Sequence, residues 1–139
     1  MRVLAAALGL LALGAALDAA AAQPALQCSG MQKPAAVAEL LFGRKISGRV
    51  AVSERQWARF VDREITPRFP DGLSVVDAKG QWRDRERNVI VREPSKLVTI
   101  VLPGDTADDQ RLRQIIEAYK KRFRQQSVGL IVRPACVSF

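Results

Sequence analysis

The sequence predicts an α+β sandwich, with two helices covering one face of a four-stranded antiparallel sheet, and three observations predict it. Two segments carry apolar residues at helical spacing. Four others are short runs that are β-branched or almost continuously apolar. They succeed one another as strand, helix, strand, strand, helix, strand, within a length that suits one core.

The first 22 residues precede that pattern. Arg2, the apolar run Val3 to Leu17 and the small residues Ala20-Ala21-Ala22 before Gln23 have the three-part layout of a cleavable export signal. Val3 to Ala22 also approaches the roughly 20 residues that span a bilayer, with Asp18 as its one charge, so a retained anchor is the alternative. No later stretch is apolar enough to span, and none is expected once the signal is cleaved. The expected organisation is a signal over 1–22, a tether over 23–35 and one domain over 36–139.

Ala36 to Phe42 (AAVAELLF with its flanking alanine) is the first strand, and the loop Gly43 to Val50 follows. Ser53 with Gln56 three residues later forms a capping box, and Trp57, Phe60, Val61 and Ile65 recur at helical spacing up to Thr66-Pro67. Trp57 is read as core. Pro70-Asp71-Gly72 is turn chemistry, after which Leu73 to Trp82 is the second strand. Val89 to Leu102 is the third, interrupted near Pro94, which has no amide to donate. These two form a hairpin that turns within Asp84 to Asn88, and beyond Gly80 and Pro94 it is expected to leave the main sheet as an arm. Pro103 to Thr106 leads into the second helix, whose apolar face is Leu112, Ile115, Ile116, Tyr119 and Phe123. Asp108 and Asp109 at its start and Lys120, Lys121 and Arg122 at its end complement the helix dipole. Val128 to Val132 is the last strand, read as ending before Pro134.

The order β-α-β-β-α-β is that of a ferredoxin-like sandwich with spatial strand order 4-1-3-2. In it the first strand begins, and the fourth ends, at the same end of neighbouring antiparallel strands. Cys28 and Cys136 are then placed to form a disulfide, as an exported chain permits. Closing a loop of about 100 residues contributes up to about 4.7 kcal/mol in the chain-entropy picture.

Composition narrows function by exclusion. With 22 Lys+Arg against 14 Asp+Glu the net charge is +8, which draws the protein toward anionic ligands or partners of the envelope. No alternation of aromatic with basic residues supports nucleic-acid binding. The absence of histidine removes Ser-His-Asp and Cys-His catalysis and the ordinary histidine metal sites, and no phosphate-binding glycine loop is present. No cofactor or metal is expected, and no catalytic residue is assigned. Asp84, Glu86 and Glu93 alternate with Arg83, Arg85, Arg87 and Arg92, a pattern read chiefly as a solvated ion-paired surface.

The stretches ITPRFPDGLSVVDAKGQW (65–82), REPSK (92–96) and QQSV (125–128), with the tail from Cys136 to Phe139, resemble a bacterial family of exported proteins known as domain-of-unknown-function family 3574. The resemblance spans nearly all of the mature chain and implies export, but no activity, substrate or catalytic residue.

Three readings of function follow. The leading one is a non-enzymatic periplasmic or extracellular module that binds an anionic ligand or partner. The others are a cofactor-free enzyme using Asp or Glu with Arg, and an assembly protein that forms a homodimer through the sheet face left open by the helices. For the first, the loop 43–52, the hairpin arm and the connection after Phe123 should converge at the sheet end opposite the disulfide. The candidate ligands there are Arg44, Arg49, Arg83 and Arg92, with Trp82 as a flat wall and the start of the first helix adding its free amides.

Overall fold

The computed structural model describes residues 26–46, 49–50 and 52–139, so the export-signal reading of 1–22 lies outside the described residues. Strand β1 (Lys33–Gly43) is followed by a two-residue ribbon, β2 (Lys45–Ile46) and β3 (Arg49–Val50), within the segment read as loop. Helix α1 (Glu54–Phe60) continues as a π-helical turn over Val61–Ile65. Strands β4 (Ser74–Asp84) and β5 (Val89–Leu102), helix α2 (Asp108–Phe123) and strand β6 (Gly129–Val137) complete the domain.

The main sheet has the order β4-β5-β1-β6, the predicted ferredoxin-like arrangement, and all its pairings are antiparallel. Alternation along the strands decides what lies on each face. Ala38, Leu40 and Phe42 of β1 and Val98, Ile100 and Leu102 of β5 join the core with α1 and α2. Five aromatic rings, Phe42, Trp57, Phe60, Tyr119 and Phe123, form its centre, with centroid separations from 4.7 to 6.1 Å. Each buried ring of this kind contributes about 1.5–3 kcal/mol.

At two prolines the strands continue where a break was expected, because proline is tolerated where its missing amide costs nothing. β5 runs unbroken through Pro94, which pairs with Lys79 and whose carbonyl accepts from the Arg44 amide at 3.1 Å. β6 passes through Pro134 to Val137 because it is an edge strand that pairs only with β1. β1 likewise starts at Lys33, inside the segment read as tether.

β1 accompanies β5 only as far as the Gly43–Ser95 pair, whereas β4 and β5 stay paired to Asp84–Val89. The hairpin therefore projects as a two-stranded arm. Its turn is closed by Asn88 in the left-handed region (φ 51°) and by Asp84, which accepts from the amides of Glu86 and Arg87. The Arg87 amide, followed by its guanidinium, holds Asp84 below the usual carboxylate range. Asp84 is thus a buried turn carboxylate rather than the solvated pair expected of it. At the opposite end, Cys28 and Cys136 form a disulfide with a Cα–Cα distance of 5.6 Å.

Candidate ligand site

On the face of the sheet that the helices leave open, three strands carry a glycine near the arm: Gly43 on β1, Gly80 on β4 and Gly129 on β6. The register sets them opposite Ser95, Glu93 and Leu41. A Cβ on Gly43 would stand 2.6 Å from Glu93 Oε1, one on Gly80 2.5 Å from Ser95 Oγ, and one on Gly129 2.9 Å from Leu41 Cδ1. The missing side chains leave a recess of about 750 Å³, walled by the arm on one side and by residues 124–129 on the other. Its volume is that of a small-molecule site.

Glu93 lies in this recess and is buried, contrary to the surface reading of its charge pattern. The Trp82 indole donates from Nε1 to Glu93 Oε1 at 2.7 Å, and the Lys45 amide donates to Oε2 at 2.9 Å. Trp82 reaches it as a diagonal cross-strand neighbour, since Gly80 and not Trp82 is directly opposite Glu93. The Lys45 amide is held in place from the core side. Tyr119 Oη donates to the Gly43 carbonyl at 2.9 Å, and Gln125 Nε2 to the Lys45 carbonyl at 2.8 Å. Burial pushes the Tyr119 phenol well above its ordinary value, with Glu93 adding to the rise and Arg44 opposing it.

Basic side chains ring the opening. Lys45, Arg87 and Arg124 line the recess, whereas Lys79 and Lys96 stand at strand positions whose side chains alternate to the helix-covered face. Arg87 is paired with Asp84, and Lys96 with Glu54 at 2.9 Å and with Asp77. Among the described residues Lys45 and Arg124 make no salt bridge, and the Lys45 ammonium donates to the Arg92 carbonyl. Two cations without a carboxylate partner therefore stand at the recess beside Glu93.

The five candidate ligands do not form one site. Of them only Trp82 lines the recess, 38% exposed, with its N–H already directed at Glu93. Arg83 and Arg92 lie on the other face of the arm because strand residues alternate, and Arg83 is hydrogen-bonded to Asn88 at 2.9 Å. Arg49 is exposed on the ribbon. Arg44 is buried and consumed internally, donating from Nε and Nη2 to the Val52 carbonyl at 2.8 and 2.6 Å and from Nη1 to Glu54. The start of α1 offers little to an anion: Ser53 and Gln56 complete the capping box, and Glu54 occupies the first turn. Asp108 and Asp109 sit at the start of α2 as read, with Asp108 accepting from the Gly104 amide at 2.8 Å. No group of three or more acidic, cysteine or histidine side chains is placed to hold a metal among the described residues.

Glu93, read chiefly as part of a solvated ion-paired surface, is instead enclosed in the recess. Its signal lay in the stretches that carry the family resemblance, since GQW supplies Gly80, Gln81 and Trp82, REPSK supplies Glu93, Ser95 and Lys96, and QQSV supplies Gln125 to Ser127 to the recess. A family model described as "Protein of unknown function (DUF3574)" matches residues 37–139. The chain belongs to this family. No curated protein matches the DUF3574 chain. Among solved structures it is similar to a phage SAM lyase in complex with S-methyl-5'-thioadenosine, with a TM-score of 0.61, 13% identity, and coverage of 84% of this chain and 97% of that one. The apo state of the phage SAM lyase gives a TM-score of 0.56 at 15% identity over the same shares. CutA from Synechococcus elongatus, complexed with a Bis-Tris molecule, gives 0.44 at 10% identity, covering 73% of this chain and 84% of that one. The lyase similarity establishes a shared fold for the DUF3574 domain.

Proposed function

We propose that this DUF3574 domain is a binding module for a small anionic ligand, seated in the recess between the arm and residues 124–129. One observation carries the reading: three strand glycines open the sheet face around a buried, hydrogen-bonded carboxylate, at a rim where cations outnumber it. Each glycine costs about 0.5–1 kcal/mol relative to alanine in a strand and admits the side chain packed over it, Glu93 over Gly43, Ser95 over Gly80 and Leu41 over Gly129, which keeps that end of the sheet face low. Leu41, Val91 and Leu97 supply apolar wall, and Lys45 and Arg124 supply charge for an acidic group.

The disulfide favours an oxidising compartment, which supports a place in the periplasm or outside the cell. Calorimetric titration with small phosphates and carboxylates tests the reading. Binding should weaken with added salt and with Lys45→Ala or Arg124→Ala, and it should persist in Arg83→Ala. Binding that ignores salt and both recess variants overturns it.

A second reading, a cofactor-free enzyme, is favoured by the sheltered position of Glu93, where a carboxylate can move a proton. A phage SAM lyase in complex with S-methyl-5'-thioadenosine shares this fold, and that compound belongs in the panel of compounds tried. Turnover abolished by Glu93→Gln supports this reading.

A further inference from the structure

The occupancy of Glu93 narrows the ligand class. A carboxylate has about four acceptor positions, and among the described residues each oxygen of Glu93 accepts one hydrogen bond, from Trp82 to Oε1 and from the Lys45 amide to Oε2. Each oxygen thus keeps capacity for one more donor, and the recess is the open space beside them. Two adjacent donors on one ligand would satisfy both.

A guanidinium and a vicinal diol both present such a pair. The rim decides between them. Lys45 and Arg124 outnumber Glu93 and disfavour a cationic ligand, whereas a neutral diol meets the carboxylate without that repulsion. The remaining polar lining, Ser95, Gln126 and Ser127, supplies amide and hydroxyl groups suited to further hydroxyls, and Trp82 supplies a ring edge and face beside them. We propose that the ligand is a sugar or nucleoside that directs two neighbouring hydroxyls at Glu93 and an acidic group at Lys45 and Arg124. This inference rests on the proposed function and specifies the chemistry of the same site.

The test is a calorimetric comparison of adenosine 5'-monophosphate, its 2',3'-dideoxy counterpart, glucose 6-phosphate and inorganic phosphate with the disulfide-bonded domain. The dideoxy compound should bind about 100-fold more weakly than the parent, the loss of two hydrogen bonds to a charged acceptor. Glu93→Gln, which keeps the side-chain shape, should bring the two within a few-fold, and Arg83→Ala should leave the ratio unchanged. The nucleotide and glucose 6-phosphate separate the two sources of a diol. Should dideoxy and parent compounds bind equally, or the ratio survive Glu93→Gln, the diol inference fails while the anion site stands. If phosphate, nucleotide and sugar phosphate all fail to bind, both readings fall.

Discussion

Replacing Gly43 by alanine probes the construction of the recess directly. The new Cβ would lie 2.6 and 2.7 Å from the two Glu93 oxygens, inside van der Waals contact, and the backbone of Gly43 needs no left-handed conformation. The carboxylate is the free end of a flexible side chain, so it moves rather than the strand. Moving it breaks the bonds from Trp82 Nε1 and the Lys45 amide. Hydrogen bonds to charged groups contribute about 1.5–3 kcal/mol each, and rehydration in the open recess returns part of that, leaving a destabilisation of about 2–3 kcal/mol. In a Glu93→Ala background the obstacle is gone, and Gly43→Ala should be neutral or stabilising by about 0.5 kcal/mol, the usual advantage of alanine over glycine in a strand. The double-mutant cycle, measured by urea denaturation followed through tryptophan fluorescence, should show a coupling of at least about 2 kcal/mol. Costs that add within about 0.5 kcal/mol would refute the contact, because independent sites behave that way.

Further outcomes follow from the rest of the domain. Replacing both Cys28 and Cys136 by serine should lower stability by up to about 4.7 kcal/mol in chemical denaturation, since the bridge closes a separation of 108 residues. Hydrogen bonds from Lys96 hold Glu54 and Asp77 below their ordinary 4.5 and 3.8. The unfolded chain therefore takes up protons first as pH falls, so stability present above those values is lost on the way down, and Lys96→Met should flatten that acid limb in a pH series of melting temperatures. At the alkaline side, burial would lower the Lys96 ammonium, but its bonds to Asp77 and Glu54 outweigh that and hold it above 10.5. The Tyr119 phenol is raised above 10.0 by burial. In both cases the unfolded chain releases its proton first, so stability present below about pH 10 falls as pH rises, and Lys96→Met and Tyr119→Phe should each shallow the slope. Tyr119→Phe should also cost about 1 kcal/mol at neutral pH through the lost bond to the Gly43 carbonyl.

The sheet, both helices and the disulfide were legible because each rests on periodicity or order alone. The strand order brings Cys28 and Cys136 to one end, and helical spacing correctly gave the buried face of α2. The site was less legible. Arginines attract attention as anion ligands, but Arg44 is turned inward by the Val52 carbonyl and Glu54, and Arg83 and Arg92 are separated from Trp82 by alternation. Glu93 looked like one member of a surface charge run, and only the cross-strand register shows that bare Gly80 lies opposite it and Gly43 presses on it. Register between distant strands is a tertiary property, so nothing in GQW, REPSK or QQSV alone shows that these stretches meet at one recess.

Nuclear magnetic resonance titration of the disulfide-bonded domain with adenosine 5'-monophosphate tests the central claim most directly, because the amides of Gly43, Gly80 and Gly129 and the Trp82 indole N–H mark the recess on three strands and its wall. Saturable shifts at these four signals, lost in Glu93→Gln or at high salt, are the result expected of a small-ligand site. Shifts confined to Arg83, Arg92 and the outer face of the arm, or none at any concentration, would contradict it.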